Sequence, residues 1–409
     1  MERFMSRLMV YSHDTYGLGN LRRMLSICEY LSSSIADLSI LLISGSPMAH
    51  SFRLPRRLDY IKLPCLTRIE REGYSVRSLG LSLTETIRLR SDVILSAASN
   101  FKPDLLLVDK KPAGIKNELE ATLAYLKSEL PETRHVLILR DILDAPEATI
   151  SVWERQGYHD VIQSFYDLVL VLGMAEILDP RLEYRFPEEA AARVRFCGYL
   201  KPQSPKKTRD EIRKEFDLAD QERLVLVTPG GGEDGYRLLA AYLEGLALIP
   251  PNYKIHSHIV CGPEMVGEER DRLYQAAAAI PGVSVCEFTD DLIGYMSASD
   301  VVISMGGYNT ICEILSLRKK AIVVPRVKPV QEQWIRAERM SRLGLFRCIH
   351  PDDLTPAGLM HSLVCELDSG TASALPSAAV DFAAQTRIVA WISTLLHDDR
   401  KGSRNVPEQ

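Results

Sequence analysis

The stretch that decides the fold is VVISMGGYNTICEILSLRKKAIVVP, residues 301–325. It opens with a β-branched run of the kind that fills a buried parallel strand, and AIVVP is a second such run. Two glycines after Met305 end the first strand, and TICEILSL has the apolar spacing of a short helix beginning at Asn309 or Thr310. A crossover this short predicts a strand, a helix and a second strand parallel to the first.

The turn at Gly306 and Gly307 has the composition of an anion-binding site. Because glycines lack Cβ atoms, a phosphate can approach the backbone, where the first free N–H groups of the helix point at it. Glu313, expected on the first helical turn, is placed to accept hydrogen bonds from a ribose. A second interpretation is equally open, because Thr310 and Glu313 have the spacing of a capping box, in which each side chain satisfies a free backbone N–H.

Composition limits the class of protein. The chain has 409 residues, 46% of them apolar, so we expect two domains with a cleft between them. The formal net charge of −5 argues against a general nucleic-acid binder. The sequence shows neither a signal peptide nor a run of about 18 apolar residues, and its cysteines stand singly among apolar residues. These features predict a soluble, cytoplasmic protein with reduced thiols.

Strand and helix patterns alternate through the first half, which predicts a parallel sheet wound with helices. After residues 195–199 comes KPQSPKKTRDEIRKEF, a polar and charged segment that is the candidate hinge. The second half begins again with a strand, a glycine turn and a helix. We predict a first domain over 1–200, a second over 201–378, a helix over 379–397 that crosses back to the first domain, and a disordered tail over 398–409.

Two more glycine loops follow predicted strands. Gly17 and Gly19 follow the first strand of the chain, where a tight turn is the ordinary alternative to a ligand contact. Gly230, Gly231 and Gly232 follow the first strand of the second half. An ordinary turn needs one or two glycines, so three in succession are hard to explain by packing and favour a close approach to a ligand or to the opposite domain.

The second half resembles the C-terminal, nucleotide-sugar-binding domain of GT-B glycosyltransferases, in particular the group that includes the peptidoglycan N-acetylglucosaminyltransferase. The segments that carry the resemblance are 17–23, 230–232, 300–315 and 321–345. In addition, RDILDAP, residues 140–146, is similar to a sequence of predicted bacterial glycosyltransferases. The resemblance implies an α/β fold of the GT-B class, with two Rossmann-like domains facing a central cleft.

The same resemblance implies a donor site in the second half. The helix after the glycine turn would bind the diphosphate and its glutamate the ribose, which makes the capping box the less favoured interpretation. Gln331 and Gln333 take the places of a Gln or Asn pair that contacts the donor sugar, and an exposed helix start is the alternative. The implied donor-binding residues are Gly17, Gly19, Asn20, Gly230, Gly231, Gly232, Gly306, Gly307, Asn309, Thr310, Glu313, Gln331 and Gln333.

The first loop departs from the family pattern at Asn20, where related transferases and UDP-sugar hydrolases have a histidine. Because an amide cannot act as a general base, this departure counts against a hydrolase mechanism. His13 and Asp14 lie in the same loop and are the candidate catalytic residues that would deprotonate an acceptor hydroxyl. A buried, hydrogen-bonded histidine is the alternative interpretation of His13.

Polar residues at two strand ends of the first half are candidates for acceptor binding. Asp109 ends one predicted strand, and Arg140 and Asp141 end another. Open α/β sheets bind ligands at this edge, which predicts an acceptor contact for all three. A helix cap or a turn is an equal alternative for each aspartate.

These features predict an enzyme, a glycosyltransferase of the hexosyltransferase type that moves a sugar from a nucleotide diphosphate donor, expected to be a UDP-sugar, to an unidentified hydroxyl acceptor. Inversion of the sugar is implied by the resemblance alone. No cofactor and no metal are expected, because the aspartate pairs at 290–291, 352–353 and 398–399 are adjacent and form no DxD motif. The alternatives are a nucleotide-sugar hydrolase or 2-epimerase on the same fold, and a non-enzymatic nucleotide-sugar-binding protein.

The expected partners are therefore a nucleotide-sugar donor and a hydroxyl acceptor, with no nucleic acid. Peripheral membrane contact is a further alternative for FRLPRRLDYIKLP, residues 52–64. The more ordinary interpretation of this segment is a solvated loop that leads into a strand.

Overall fold

The computed structural model describes residues 5–13, 18–52, 54–69, 73–369 and 380–402. The chain forms two compact units, one built from the residues up to Leu200 together with those from Asp381 onward, and one built from Lys201–Val380. Each unit has its own parallel sheet and its own buried apolar core.

The bounds of the elements follow in chain order. Unit 1 contains β1 (Ser6–Ser12), α1 (Leu18–Ser34), β2 (Leu38–Ser44), β3 (Leu58–Lys62), β4 (Leu66–Arg68), β5 (Tyr74–Val76), α2 (Leu83–Phe101), β6 (Leu105–Asp109), α3 (Glu120–Glu129), β7 (Arg134–Arg140), α4 (Pro146–Gln156), α5 (Tyr158–Phe165), β8 (Leu168–Leu172), α6 (Pro180–Glu183), α7 (Glu188–Ala191) and β9 (Val194–Phe196). Unit 2 contains α8 (Arg209–Glu215), β10 (Arg223–Thr228), α9 (Tyr236–Gly245), β11 (Ile255–Val260), α10 (Gly267–Ala278), β12 (Val283–Cys286), α11 (Leu292–Ala298), β13 (Val301–Ser304), α12 (Tyr308–Ser316), β14 (Lys320–Val323), α13 (Glu332–Arg342), β15 (Arg347–Cys348) and α14 (Pro356–Asp368). The last helix, α15 (Ala384–Gly402), belongs to unit 1.

The sheet of unit 1 has seven strands in the order β3-β2-β1-β6-β7-β8-β9, and every pairing is parallel. Strands β6 and β8 are buried along their whole length, which explains their nearly continuous apolar sequence. The segment 52–64 includes β3, an edge strand of this sheet. A short antiparallel hairpin, β4 with β5, lies in the region that the sequence suggests is only a loop.

The sheet of unit 2 has six strands in the order β12-β11-β10-β13-β14-β15, again all parallel. Strand β10 pairs with β11 on one side and with β13 on the other, so the strand order reverses between β10 and β13. The loops that leave such a pair of strands diverge to opposite faces of the sheet and open a ligand crevice between them. In unit 2 these two loops carry Gly230–Gly232 and Gly306–Gly307, since Thr228 pairs with Ser304 at the carboxyl ends of the strands.

Three elements differ from the sequence-based expectation. The sequence pattern predicts one helical stretch near 150–164, but the structure has two helices separated by Gly157, whose φ of 63° a right-handed helix cannot contain. The candidate hinge contains helix α8, which begins at a complete capping box formed by Thr208 and Glu211. The sequence also gave no indication of α14, which packs against α9 and β14.

The end of the chain returns to unit 1. Tyr199 donates its N–H to the carbonyl of Asp381 at 2.7 Å, and Arg387 Nη1 donates to the carbonyl of Cys197 at 2.8 Å. Helix α15 extends through Gly402, into the segment expected to be disordered, because adding residues to a helix already anchored by packing costs little. Residues 403–409 of the expected tail lie outside the described residues.

None of the helices in the described part of the chain combines the length and the apolar character that crossing a membrane requires.

Candidate functional site

The glycine turn between β13 and α12 presents a free helix N-terminus. Helix α12 begins at Tyr308, and Gly307 is its N-cap, with φ −62° and ψ 141°. No side chain among the described residues caps this end, and the first turn carries no acidic residue. The leading N–H groups of the helix therefore have no intrahelical partners, and with the helix dipole they favour a bound anion.

The helix starts earlier than the sequence suggests, which excludes the capping box. Thr310 lies inside the first turn, so it cannot act as the N-cap, and Glu313 lies in the second turn. The reason is that Gly307 already has the extended conformation of an N-cap residue and the chain becomes helical directly after it. Glu313 is 5% exposed, Asn309 is half-buried and Thr310 is buried.

Gly306 has a role that differs from the expected phosphate contact. Its N–H donates to Oε1 of Gln333 at 3.1 Å, and its carbonyl accepts from Nη1 of Arg336 at 3.0 Å. A Cβ at this position would lie 3.1 Å from the carbonyl of Gln333 and 3.2 Å from Pro325 Cβ. Residue 306 is therefore a glycine because α13 packs closely against it, and its N–H is already committed to a protein side chain.

The Gly230–Gly232 loop is explained by packing at one of its three positions, Gly232, where a Cβ would lie 2.5 Å from the carbonyl of Cys261. A Cβ on Gly231 would meet only the end of the Glu264 side chain, at 2.6 Å, which can move aside. Gly232 also has a φ of 103°, which side chains rarely allow. Only Gly230, with a φ of 84°, has room beside it, and a Cβ there would lie 3.6 Å from Thr310 Oγ1.

The structure thus brings Gly230, Gly307 and Thr310 together. Among the described residues, the nearest atom to a Cβ on Gly307 would also be Thr310 Oγ1, at 4.0 Å. The two glycines leave space on both sides of one hydroxyl, next to the free N–H groups of α12. A hydroxyl and several N–H donors around an open space are suited to the oxygens of a phosphate or diphosphate.

The two glutamines expected to contact a sugar are in different environments. Gln331 is exposed at the N-cap of α13. Gln333 is 9% exposed, and its Oε1 accepts from the N–H of both Gly306 and Arg326, each at 3.1 Å. Its acceptor oxygen therefore serves the protein backbone, so only its amide N–H groups are left to meet a sugar hydroxyl.

A line of alternating charges runs beside the glycine loops, and the sequence analysis did not detect it. Asp234 pairs with Arg326 at 3.0 Å, Arg326 lies 3.9 Å from Glu332, and Glu332 pairs with Arg336 at 2.9 Å. Arg336 is fully buried, and its guanidinium lies 5.6 Å from the centre of the Tyr308 ring. The spacing of Glu332 and Arg336, one helical turn apart, is the one signal in the sequence that predicts a pair within this line.

At the carboxyl ends of the strands in the sheet of unit 1, the structure places His13 beside Asn20 and Asp109. His13 is 4% exposed; its carbonyl accepts from Nδ2 of Asn20 at 2.6 Å, and its N–H donates to Asp109 at 3.4 Å. Asn20 and Gly19 lie in the first turn of α1. Asp14 and Gly17 lie outside the described residues.

The aspartates of this edge have structural partners. Asp109 is fully buried and pairs with Arg23, whose Nη2 lies 2.8 Å and 3.0 Å from its two oxygens. Asp141 is 1% exposed and accepts from its neighbour's backbone, the N–H of Ile142, at 2.8 Å, while Arg140 ends β7 half-buried. The sequence analysis missed Arg23, which holds Asp109 from helix α1.

No group of three or more His, Cys, Asp or Glu side chains in the described ranges is arranged to hold a metal ion. Of the adjacent aspartates, Asp291 caps α11 and accepts from the N–H groups of Lys206, Lys207 and Gly294. Asp290 forms an exposed ion pair with Lys206.

Sequence comparisons agree with the predicted resemblance. Residues 224–386 match the glycosyltransferase family 28 C-terminal domain. An uncharacterized glycosyltransferase of Methanopyrus kandleri is 26% identical over 246 residues, which is 57% of this chain and 66% of that protein. The UDP-N-acetylglucosamine–N-acetylmuramyl-(pentapeptide) pyrophosphoryl-undecaprenol N-acetylglucosamine transferase of Haemophilus influenzae is 31% identical over 150 residues, 36% of this chain and 41% of that protein. Each match thus spans less than two thirds of the relative.

Solved structures show the fold. MurG of Acinetobacter baumannii superposes with a TM-score of 0.61 at 14% identity, over 95% of this chain and 99% of that one. The glycotransferase of kitacinnamycin has a TM-score of 0.62 at 16% identity, over 96% of this chain and 100% of that one. A proposed UDP-N-acetylglucosamine 2-epimerase of Listeria monocytogenes has a TM-score of 0.66 at 12% identity, over 97% of this chain and 98% of that one. These structures confirm the predicted α/β fold of the GT-B class, and the match over residues 224–386 confirms the predicted resemblance of the second half to a glycosyltransferase domain.

Proposed function

We propose that this chain, whose residues 224–386 match a glycosyltransferase family 28 domain, transfers a sugar from a nucleotide diphosphate donor, a UDP-sugar, to a hydroxyl acceptor. The transfer proceeds with inversion and needs no metal ion. The named relative from Haemophilus influenzae uses UDP-N-acetylglucosamine, which supports a uridine donor. The cytoplasm is the proposed location, as the singly placed cysteines predict.

One observation carries the proposal: the uncapped N-terminus of α12 opens onto the space between Gly230, Gly307 and Thr310. This space lies where the strand order of unit 2 reverses, the usual ligand position in open α/β sheets. The diphosphate oxygens would accept from the N–H groups of the first turn of α12 and from the Thr310 hydroxyl. Glu313 would accept from the ribose, and Gln331 with the amide N–H groups of Gln333 would meet the sugar.

The chemistry that these groups support is stabilisation of the leaving nucleotide. As the bond from the sugar to the diphosphate breaks, negative charge grows on the phosphate oxygen. Fixed N–H dipoles at a helix N-terminus stabilise that charge without having to reorganise. His13 and Asp14 are the proposed bases that take the proton from the acceptor hydroxyl, because the Asn20 amide cannot accept one at neutral pH. Asp109, Arg140 and Asp141 are placed at the same edge of unit 1 and would orient the acceptor.

A 2-epimerase or hydrolase is the second candidate, favoured by the fold shared with the proposed epimerase of Listeria monocytogenes. Such an enzyme would consume a nucleotide sugar in the absence of any acceptor. The two candidates are separated by incubating the protein with UDP-N-acetylglucosamine alone and following free sugar, the epimer and UDP by chromatography. Turnover without an acceptor at the rate of a true hydrolase or epimerase would exclude the transferase.

The donor site itself is tested by the melting temperature of the protein against a panel of nucleotide sugars, free nucleotides and sugars. A ligand that binds only the folded state raises the melting temperature by mass action. We expect UDP and at least one UDP-sugar to raise it, while the sugars without nucleotide leave it unchanged. If no nucleotide diphosphate changes the melting temperature, and calorimetry detects no binding, the proposed site is wrong.

A further inference from the structure

The peptide of Gly306 is held from both sides by helix α13. Gln333 accepts its N–H at 3.1 Å, and Arg336 donates to its carbonyl at 3.0 Å. Both hydrogen bonds are buried, and an unpaired peptide group in a buried position is costly. The conformation of the turn that leads into α12 therefore depends on two side chains that lie on another helix.

The same two side chains connect the turn to the rest of the site. Oε1 of Gln333 also accepts the N–H of Arg326, whose guanidinium pairs with Asp234, just beyond the Gly230–Gly232 loop. Arg336 pairs with Glu332 one turn earlier in α13, and Glu332 faces Arg326 at 3.9 Å. Hydrogen bonds and ion pairs thus connect the glycine turn, α13 and Asp234, which lies two residues beyond the glycine loop.

Arg336 also places a permanent positive charge near the start of α12. Its side chain is fully buried, with the guanidinium 5.6 Å from the ring centre of Tyr308, the first residue of that helix. A carboxylate at 2.9 Å, that of Glu332, neutralises this charge, so Arg336 acts on the turn through its hydrogen bond to the Gly306 carbonyl. The same carboxylate keeps the guanidinium oriented toward Gly306.

We propose that Gln333 and Arg336 are positioning residues for the diphosphate: by fixing the Gly306 peptide they aim the leading N–H groups of α12 at the phosphate oxygens. The inference rests on the proposed function and specifies how its site is built. It also changes the role expected for Gln333. A residue that only touched the sugar would matter for a nucleotide sugar alone, whereas a positioning residue matters for the bare nucleotide diphosphate as well.

The experiment compares UDP and UDP-N-acetylglucosamine as probes by isothermal titration calorimetry on the full-length protein, with the variants Gln333→Met and Arg336→Met. We expect each variant to weaken the binding of UDP about tenfold, since a buried polar partner of the turn is lost. Arg336→Met should weaken UDP-N-acetylglucosamine by the same factor, whereas Gln333→Met should weaken it further, because the amide contact to the sugar is lost as well. Arg342→Met is the matched control, because Arg342 lies on the same helix and also pairs with a glutamate one turn earlier, but is exposed. Its affinity for UDP should equal that of the unchanged protein.

Melting temperatures are recorded for the same variants, and they distinguish a positioning role from a general effect on the stability of the fold. A purely structural role would lower the melting temperature of the Gln333→Met and Arg336→Met variants and leave UDP affinity of the folded protein unchanged, which would overturn the inference. Loss of affinity for UDP-N-acetylglucosamine alone would also overturn it in favour of a sugar contact. If Arg336→Met does not fold, Arg336→Lys keeps the charge and one donor and should weaken UDP binding less, about threefold. If the unchanged protein binds neither probe, the proposed function itself fails.

Discussion

Gly306 and Gly307 are adjacent glycines with different physical roles. Gly306 is surrounded by α13 and both of its backbone groups are hydrogen-bonded to side chains, whereas Gly307 faces open space at the helix N-terminus. Gly232 resembles Gly306, since backbone atoms of Cys261 and Gly262 occupy the place of a side chain. Some glycines are required for ligand binding and others for close packing. The two kinds can be distinguished only by the atoms that surround each glycine in the structure.

Gly307→Val should abolish UDP binding while the protein remains folded. The backbone angles of Gly307 suit a β-branched residue, so the side chain would fit the chain but fill the space proposed for the phosphate. Calorimetry should show at least a hundredfold loss, roughly the cost of excluding the ligand from its contacts. Gly267→Val is the matched control, because Gly267 also starts a helix and no described atom lies within 4 Å of its Cβ position. Equal UDP affinity in both variants would contradict the proposal that the phosphate of UDP binds beside Gly307.

Glu313→Ala should weaken UDP binding by about tenfold, because two ribose hydroxyls would lose a charged acceptor. The analogue 2′,3′-dideoxyuridine diphosphate lacks both ribose hydroxyls, so the same variant should bind it as tightly as the unchanged protein does. This comparison by calorimetry identifies the contact between Glu313 and the ribose. A similar loss for both ligands would show that Glu313 acts through the fold, which its 5% exposure makes the principal alternative.

At the scale of elements, helix α1 and strand β6 are joined by a buried ion pair. Asp109 ends β6 at the carboxyl edge of the sheet, and Arg23 of α1 reaches both of its oxygens. The N–H of His13 donates to the same carboxylate, so the pair also fixes the end of β1 and the start of the first loop. The aspartate was expected to serve an acceptor, and its packing shows a structural task as well.

Asp109→Asn should destabilise the protein by about 3–5 kcal/mol, because the buried Arg23 guanidinium would lose its counter-charge. Asp37→Asn is the matched control, because Asp37 pairs with Arg57 at 3.0 Å at a more exposed position and an exposed pair contributes under about 1 kcal/mol. Urea unfolding monitored by circular dichroism measures both changes. A loss no larger than that of the control would mean that the Arg23 pair adds little to stability.

Periodicity in the sequence predicts most elements correctly, and the failures share a cause. Apolar runs such as those of β6 and β13 are buried strands in the structure, as expected. The start of α12 and the break at Gly157 were missed, because helix ends depend on the backbone angles of single residues. Strands β4 and β5 were taken for a loop, because strands of three residues are too short to show a periodic apolar pattern.

At the scale of the whole molecule, buried and half-buried histidines in both units are expected to make stability depend on pH. Burial lowers the pKa of His135 and His159 in unit 1, and of His256 and His258 in unit 2. For His258 burial, with a smaller effect of His256, lowers the pKa from 6.5 to about 4. Its ring stacks on Tyr295 at 4.5 Å and shares a hydrogen bond with Ser284. Between these two pKa values the unfolded chain binds a proton that the folded chain does not.

The free energy of unfolding should therefore fall as the pH is lowered from 6.5 toward 4. His258 alone should contribute about 2 kcal/mol of this loss between pH 7 and pH 5. His258→Phe keeps a stacked ring without a titrating group, so its unfolding free energy should change less over this range. Urea unfolding at the two pH values measures the difference. Identical pH dependence in the variant and the unchanged protein would show that His258 titrates normally.

The sequence by itself determined the α/β class and the two-fold repetition of strand, glycine loop and helix, and it led to the proposal of an anion-binding turn at residues 305–310. These are local properties, because a helix N-terminus and a buried strand are encoded by residues close together in the chain. Only the tertiary structure decided that Gly307 faces the open site while Gly306 is bound by Gln333 and Arg336. The physical reason is that a backbone N–H can serve one strong partner, and which partner reaches it depends on packing between segments distant in sequence.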